Sequence, residues 1–320
     1  MRVSKSSFSI VVICFFSFLV SIIPWEIFRS STYIDRENYY RYITYHTNKI
    51  EWFDYSSFVS LISYEWLWHF LLKFFSNTLG VSANSIFFAI SIFVTYVFSK
   101  TISINKGVFF ILLLLTPSFI DFSQSQLRLS LAISLIYLSY ILIKNKNNKI
   151  TPLLLIIFAP FIHTSSIVFI SFGLVSYFIN SKLKSEISKL VFLSFYGFFI
   201  AFVLGPMRSL ILGYFDDRRA EYSDMSSPVV NVLFWIVVYF GIIWCVVTNK
   251  IKINFELGVS IIVSGLIFSN IFFLGYSSRF ISATLPFLLI GLLSLVQPVK
   301  NIALLGYFLF VSFLWVFWVY

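Results

Sequence analysis

Charge is scarce in this chain. Only 11% of its 320 residues are Asp, Glu, Lys or Arg, against roughly 25% in a soluble domain, so the surface of a water-soluble globule could not be covered. Cysteine is scarcer still. Cys14 and Cys245 sit inside apolar runs, which excludes a disulfide framework and a thiolate metal centre. No phosphate-binding glycine loop, Gly-x-Ser-x-Gly elbow or zinc-type His/Cys spacing occurs, so nothing points to a nucleotide-driven engine, a bound metal or another cofactor. No fixed-period repeat or low-complexity linker divides the chain, and one integral domain over 1–320 is expected. What is abundant is apolar: 59% hydrophobic and 21% aromatic residues, with a mean hydropathy of +0.92. Such a chain is too apolar to stay disordered. The class is an all-α, polytopic integral membrane protein. Its net charge of +10 therefore reads as topology rather than as attraction to nucleic acid.

A membrane span needs about 20 apolar residues. Clear candidates are 8–24, 83–99, 127–143, 190–206, 229–248, 256–276, 280–297 and 301–319, with 108–120 and 151–179 less regular. The first run follows Arg2 and Lys5, but Pro24-Trp25-Glu26 offers no small-residue cleavage site, so it reads as a retained helix. Lysines in short loops at 100–106, 144–149, 182–189, 250–252 and 300 mark those loops as cytoplasmic. Parity then requires 151–179 to cross twice, as two short helices broken near Pro160 and His163, with His163 at the outer tip. About 11 crossings result, some short or re-entrant. External loops are expected at about 25–57, 120–127, 207–228 and 276–279. Phe58 to Leu79 carries Glu65, His69 and Lys73 at i, i+4 and i+8, which predicts an amphipathic helix on the outer interface.

Sorted by side, twelve of fourteen lysines face the cytoplasm and eight of nine arginines face out. A guanidinium keeps its charge and matches phosphate or carboxylate oxygens with a planar fork. Arginines gathered away from the orientation-setting loops point to an anionic ligand approached from outside. The outer inventory holds Asp35, Tyr39 and Tyr40 in the first loop, then Gln124, Gln126 and Arg128. His163 follows, then Arg218, Arg219 and Tyr222 in the late loop, and Arg279. Each has a bland alternative: snorkelling for Arg128 and Arg279, a capped kink for His163, and internal salt bridges of Asp35 and Glu37 with Arg36 and Arg41. The tryptophans could form an interface belt.

The order of these features resembles the EpsG/Wzy-type bacterial polysaccharide polymerases. The residues that carry the likeness are Asp35 with Tyr39, Glu65 in Tyr64-Glu65-Trp66-Leu67, Arg128-Leu129-Ser130-Leu131-Ala132, His163-Thr164-Ser165, and Arg279 in Ser277-Ser278-Arg279-Phe280. Leu129 stands where that pattern has Gln, and Gln124 or Gln126 could supply the amide instead. The resemblance implies a membrane glycosyltransferase in the bacterial cytoplasmic membrane that joins undecaprenyl-pyrophosphate-linked oligosaccharide repeats at the outer face. Membrane lipids, a chain-length regulator and a flippase would be its partners, and no nucleic acid. In that chemistry Arg128 and Arg279, helped by Arg218 or Arg219, would stabilise the departing pyrophosphate. His163 would be the base or orienter for the acceptor hydroxyl, with Asp35 and Glu65 as rivals. Tyr39, Tyr40, Gln124, Gln126 and Tyr222 would contact the glycan. The competing readings are a flippase for the same lipid-linked sugars and a membrane glycosyl- or acyltransferase acting once per chain.

Overall fold

The computed structural model describes residues 5–29, 32–45, 50, 51, 53–145, 150–214, 227, 229–273, 275 and 277–319. Helix is the only regular structure among them, as the composition requires: in lipid every backbone polar group must be satisfied within its own segment. Six helices are long and apolar enough to span a bilayer, and four more of 10–17 residues are apolar. The chain divides into two compact units, one of residues 1–170 with 314–320, the other of residues 171–313.

In the first unit, α1 (Lys5–Ile22) and α2 (Ile34–Tyr45) are followed by α3 (Phe58–Ser63) and α4 (Trp66–Lys73). The long helix α5 (Ala83–Lys106) starts where the Ser82 hydroxyl accepts from the Ser85 amide, and it stops at Gly107, whose φ of 105° L side chains rarely adopt. After it come α6 (Pro117–Gln124), α7 (Leu127–Lys144) and α8 (Ile150–Ile162). Helices α5 and α7 run parallel. Ala83 and Phe87 pack with Leu127 and Ala132 at one end; at the other, Asn105 bonds Tyr140 at 3.0 Å and also Lys144. Arg128 and Lys144 therefore stand at opposite ends of one helix, about 24 Å apart at 1.5 Å per residue.

Three expectations need correction here. Residues 58–79 do not form one amphipathic helix. The backbone breaks at Glu65, in the left-handed region with φ 52° and ψ 50°, and a π-helical turn at Phe74–Thr78 ends the segment. The polar stripe is dissolved: Glu65 is buried, His69 bonds Tyr42 at 2.8 Å, and Lys73 pairs with Glu51 at 2.7 Å. The span expected at 108–120 is a 3-10 segment, Val108–Leu114, followed by the start of α6, because Pro117 is accepted at a helix start but not inside one. The loops at 25–57, 120–127 and 207–228 contain helix, namely α2, most of α6 after residue 120, and α11 (Arg208–Tyr214). The break within 151–179 falls where it was expected, at residues 163–165 between α8 and α9 (Ser166–Lys182), although Pro160 itself stays inside α8.

The second unit packs α10 (Glu186–Leu204), α12 (Val229–Val247) and α14 (Ser277–Leu293) around α13 (Phe255–Phe273), which is buried along most of its length. Small residues permit the approach: a Cβ on Gly197 would lie 2.2 Å from the Ile262 carbonyl oxygen, and one on Gly291 2.1 Å from the Ser260 hydroxyl. Glu186 pairs with Lys189 and accepts from the Ile253 amide at 2.6 Å, tying two lysine-bearing turns together. Phe and Leu side chains stand outward on α1, α10 and on α15 (Val299–Val319). Outward apolar side chains are what a lipid-facing surface requires.

Candidate active site

The break between α3 and α4 exists to turn one carboxylate inward. A non-glycine residue in the left-handed region costs about 1–2 kcal/mol, and such strain persists only where surrounding contacts overdetermine it. Glu65 has those contacts. One carboxylate oxygen meets His163 Nδ1 and accepts from the Thr164 amide at 3.1 Å. The other meets Arg128 Nη1 at 2.5 Å. The Thr164 hydroxyl donates to the Ile62 carbonyl at 2.9 Å, which fastens the α8–α9 turn to the end of α3. Three segments, 63 and 98 residues from Glu65 in the two cases beyond its own, thus converge on a single carboxylate.

Burial separates the roles. The Glu65 side chain is 7% exposed, His163 14% and Arg128 32%, so Arg128 is the most exposed member of the three. Burial by itself would raise the Glu65 carboxyl; His163 and Arg128 outweigh it and bring it down to about 2. Glu65 is therefore a fixed negative charge at any physiological pH. Because a carboxylate only accepts, His163 Nδ1 carries a proton toward it, which leaves Nε2 as the ring nitrogen for chemistry. Arg128 also lies 5.9 Å from the Tyr39 ring centroid, and Tyr39 packs edge-on against Trp68 at 5.2 Å. Two residues before Arg128 in the chain, the Gln126 side-chain oxygen is buried and takes no hydrogen bond among the described residues.

Of the residues singled out from sequence, Glu65, Arg128, His163 and Tyr39 come together, while Gln126 stands at the start of α7. Asp35 lies half-buried in the first turn of α2, and Tyr40 lines a separate cleft on that helix. Gln124 holds helices together, donating to Ser91 at 2.8 Å and to the Val20 carbonyl at 3.3 Å. Arg279 is exposed in the first turn of α14, in the second unit. Arg218, Arg219 and Tyr222 lie outside the described residues. Thr164 was missed, although its place beside His163 was the available signal. Trp68 was read only as one of the tryptophans of an interface belt, and its packing against Tyr39 had no signal. Among the described residues no group of three His, Cys, Asp or Glu could hold a metal ion.

Fold and site together define a multi-pass helical membrane protein that draws a carboxylate, an imidazole and a guanidinium into one sheltered cluster. The chain matches the EpsG family over residues 8–320 and belongs to it. It is thus a polysaccharide-polymerase-type, glycosyltransferase-like membrane protein. No curated protein and no solved structure matches the chain.

Proposed function

We propose that this protein polymerises undecaprenyl-pyrophosphate-linked oligosaccharide repeats by glycosyl transfer at the outer face of the bacterial cytoplasmic membrane. The observation that carries the reading is the convergence of His163 and Arg128 on Glu65. Glu65 holds the imidazole in the tautomer whose Nε2 can accept a proton. An acceptor sugar hydroxyl gives its proton to Nε2 while its oxygen forms the new bond to the donor's anomeric carbon. The anomeric carbon–oxygen bond to the lipid pyrophosphate breaks, and the electron pair leaves with the pyrophosphate. The proton then passes to that leaving group or to water. Arg128, the most exposed member, stabilises the charge that grows on the departing oxygen. Arg279, Arg218 and Arg219 are proposed as further guanidinium groups for the pyrophosphate, and Asp35 for the acceptor side. The lysine pattern and the 24 Å or so between Arg128 and Lys144 favour an outward-facing site.

The deciding experiment is the glycan profile of a deletion strain complemented with wild type, Arg128→Ala or Arg279→Ala at equal membrane levels. The expected result is accumulation of single lipid-linked repeats on the outer face and no long chains. Repeats trapped inside in the uncomplemented deletion strain would make the protein a flippase, an unchanged chain-length ladder in that strain would make it a single-addition transferase, and full-length polymer from both variants would overturn the active-site assignment.

A further inference from the structure

A second site opens on the side of α2 away from Arg128. It is a cleft of about 520 Å³, bordered by α2, the turn before it and the start of α5, and its size falls within the roughly 300–1,000 Å³ of small-molecule sites. Arg29, Arg36 and Arg41 reach it, which at first sight suggests another anion site. Their pairing argues otherwise. Arg36 meets Glu26 at 3.2 Å, Arg41 meets Glu37 at 3.0 Å, and Arg29 meets Asp121 at 3.6 Å while donating to the Thr32 carbonyl at 3.3 Å. Each positive charge already faces a negative one, so a phosphate would have to displace a carboxylate and repel it.

A sugar need displace nothing. Adjacent hydroxyls each donate and accept, and a guanidinium beside a carboxylate presents a donor and an acceptor side by side. An aromatic ring completes the requirement, since the C–H face of a pyranose packs on an aromatic face, and Tyr40 stands 42% exposed on the rim.

We propose that this cleft is a neutral-glycan subsite that grips the sugar portion of a repeat, away from its pyrophosphate. The assignment rests on the polymerase reading and adds the place where the chain beyond the reacting sugar is held. Helix α2 links the two sites: Tyr39 faces Arg128 while its neighbour Tyr40 faces the cleft, and Phe87 lines the cleft and also packs in the core with Leu127 and Trp68.

The test is a binding titration on the purified protein in nanodiscs. Its probes are the host's phosphate-free repeat oligosaccharide, released by mild acid, and inorganic pyrophosphate. Tyr40→Ala and Arg41→Gln are surface substitutions that leave folding intact, and thermal unfolding checks this. They are expected to weaken oligosaccharide binding about tenfold each, or 1.4 kcal/mol. Oligosaccharide binding unaffected by either cleft substitution overturns the subsite, as does pyrophosphate competing for it. Glycan binding in the cleft of a protein that makes no polymer would instead sink the polymerase reading and leave the subsite standing.

Discussion

Replacing Glu65 by Gln keeps the side chain's shape and removes its charge. The carboxyl is held down to about 2, so the wild-type protein carries that charge at every usable pH and the substitution removes it completely. Breaking a buried ion pair by removing one partner costs about 3–5 kcal/mol. Here the Arg128 side chain is 32% exposed, and water recovers part of the loss, leaving roughly 2–3 kcal/mol of stability. His163 also loses the acceptor that fixes its tautomer, and that error adds to the loss in turnover. The assay is polymer length and lipid-linked repeat in a deletion strain, normalised to membrane protein level, with thermal unfolding of the purified variant alongside. Polymer formation should fall about 100-fold or more while the protein stays folded. Glu65→Gln working within twofold of wild type would refute the cluster as the reacting centre. Glu65→Gly sharpens the test. Gly removes the cost of the left-handed backbone, about 1–2 kcal/mol, so it should recover stability relative to Gln and remain just as inactive. Activity that rose with stability would reduce the cluster to a structural clamp.

Further outcomes follow from the same geometry. The Glu65 carboxyl lies below its ordinary value, so its contribution to stability is present above about pH 4.5 and is lost as pH falls toward 2; thermal unfolding of wild type should drop across that window more steeply than that of Glu65→Gln. Asp121 is opposite. Burial pushes it up to about 6 despite Arg29 and the Trp318 indole, so the folded state favours the protonated form. Asp121→Asn should therefore unfold no earlier than wild type at pH 7.5, with any advantage gone below about pH 4; a large drop in Tm at pH 7.5 would contradict this. Thr164→Val removes the bond to Ile62 and should lower stability by about 1 kcal/mol, with a smaller activity loss than Glu65→Gln. In the second unit, Gly197→Ala drives a Cβ into the Ile262 carbonyl and should destabilise the α10–α13 contact by about 1–3 kcal/mol, read as lowered Tm and membrane yield.

Much of this was legible before any coordinates. Arg128 at the mouth of an apolar helix had to find a partner or a wet cavity, because an ionisable group there is expensive alone; Glu65 is that partner. The α8–α9 break was legible from lysine parity and an apolar run too long for one crossing. Glu65 itself was read on a helical stripe, since Glu65, His69 and Lys73 fit a period near 3.6. The stripe misled because periodicity assumes a continuous helix, and one left-handed residue resets the phase. The cleft was hidden for a related reason. Arg36 and Arg41 looked self-satisfied within their own loop, and Arg36 in fact pairs with Glu26 from the preceding turn.

The sequence by itself determined the solvent and the helical class, because those depend on composition and on the energy of moving polar groups into hydrocarbon, which is summed locally. The tertiary structure alone decided which acid meets which base. Ion pairing acts over a few ångströms between residues 63 to 98 positions apart along the chain, and no local pattern encodes that distance. It also decided that Glu65 is an ionised anchor for His163 and Arg128, since burial and its partners, set only by packing, fix where a carboxyl titrates.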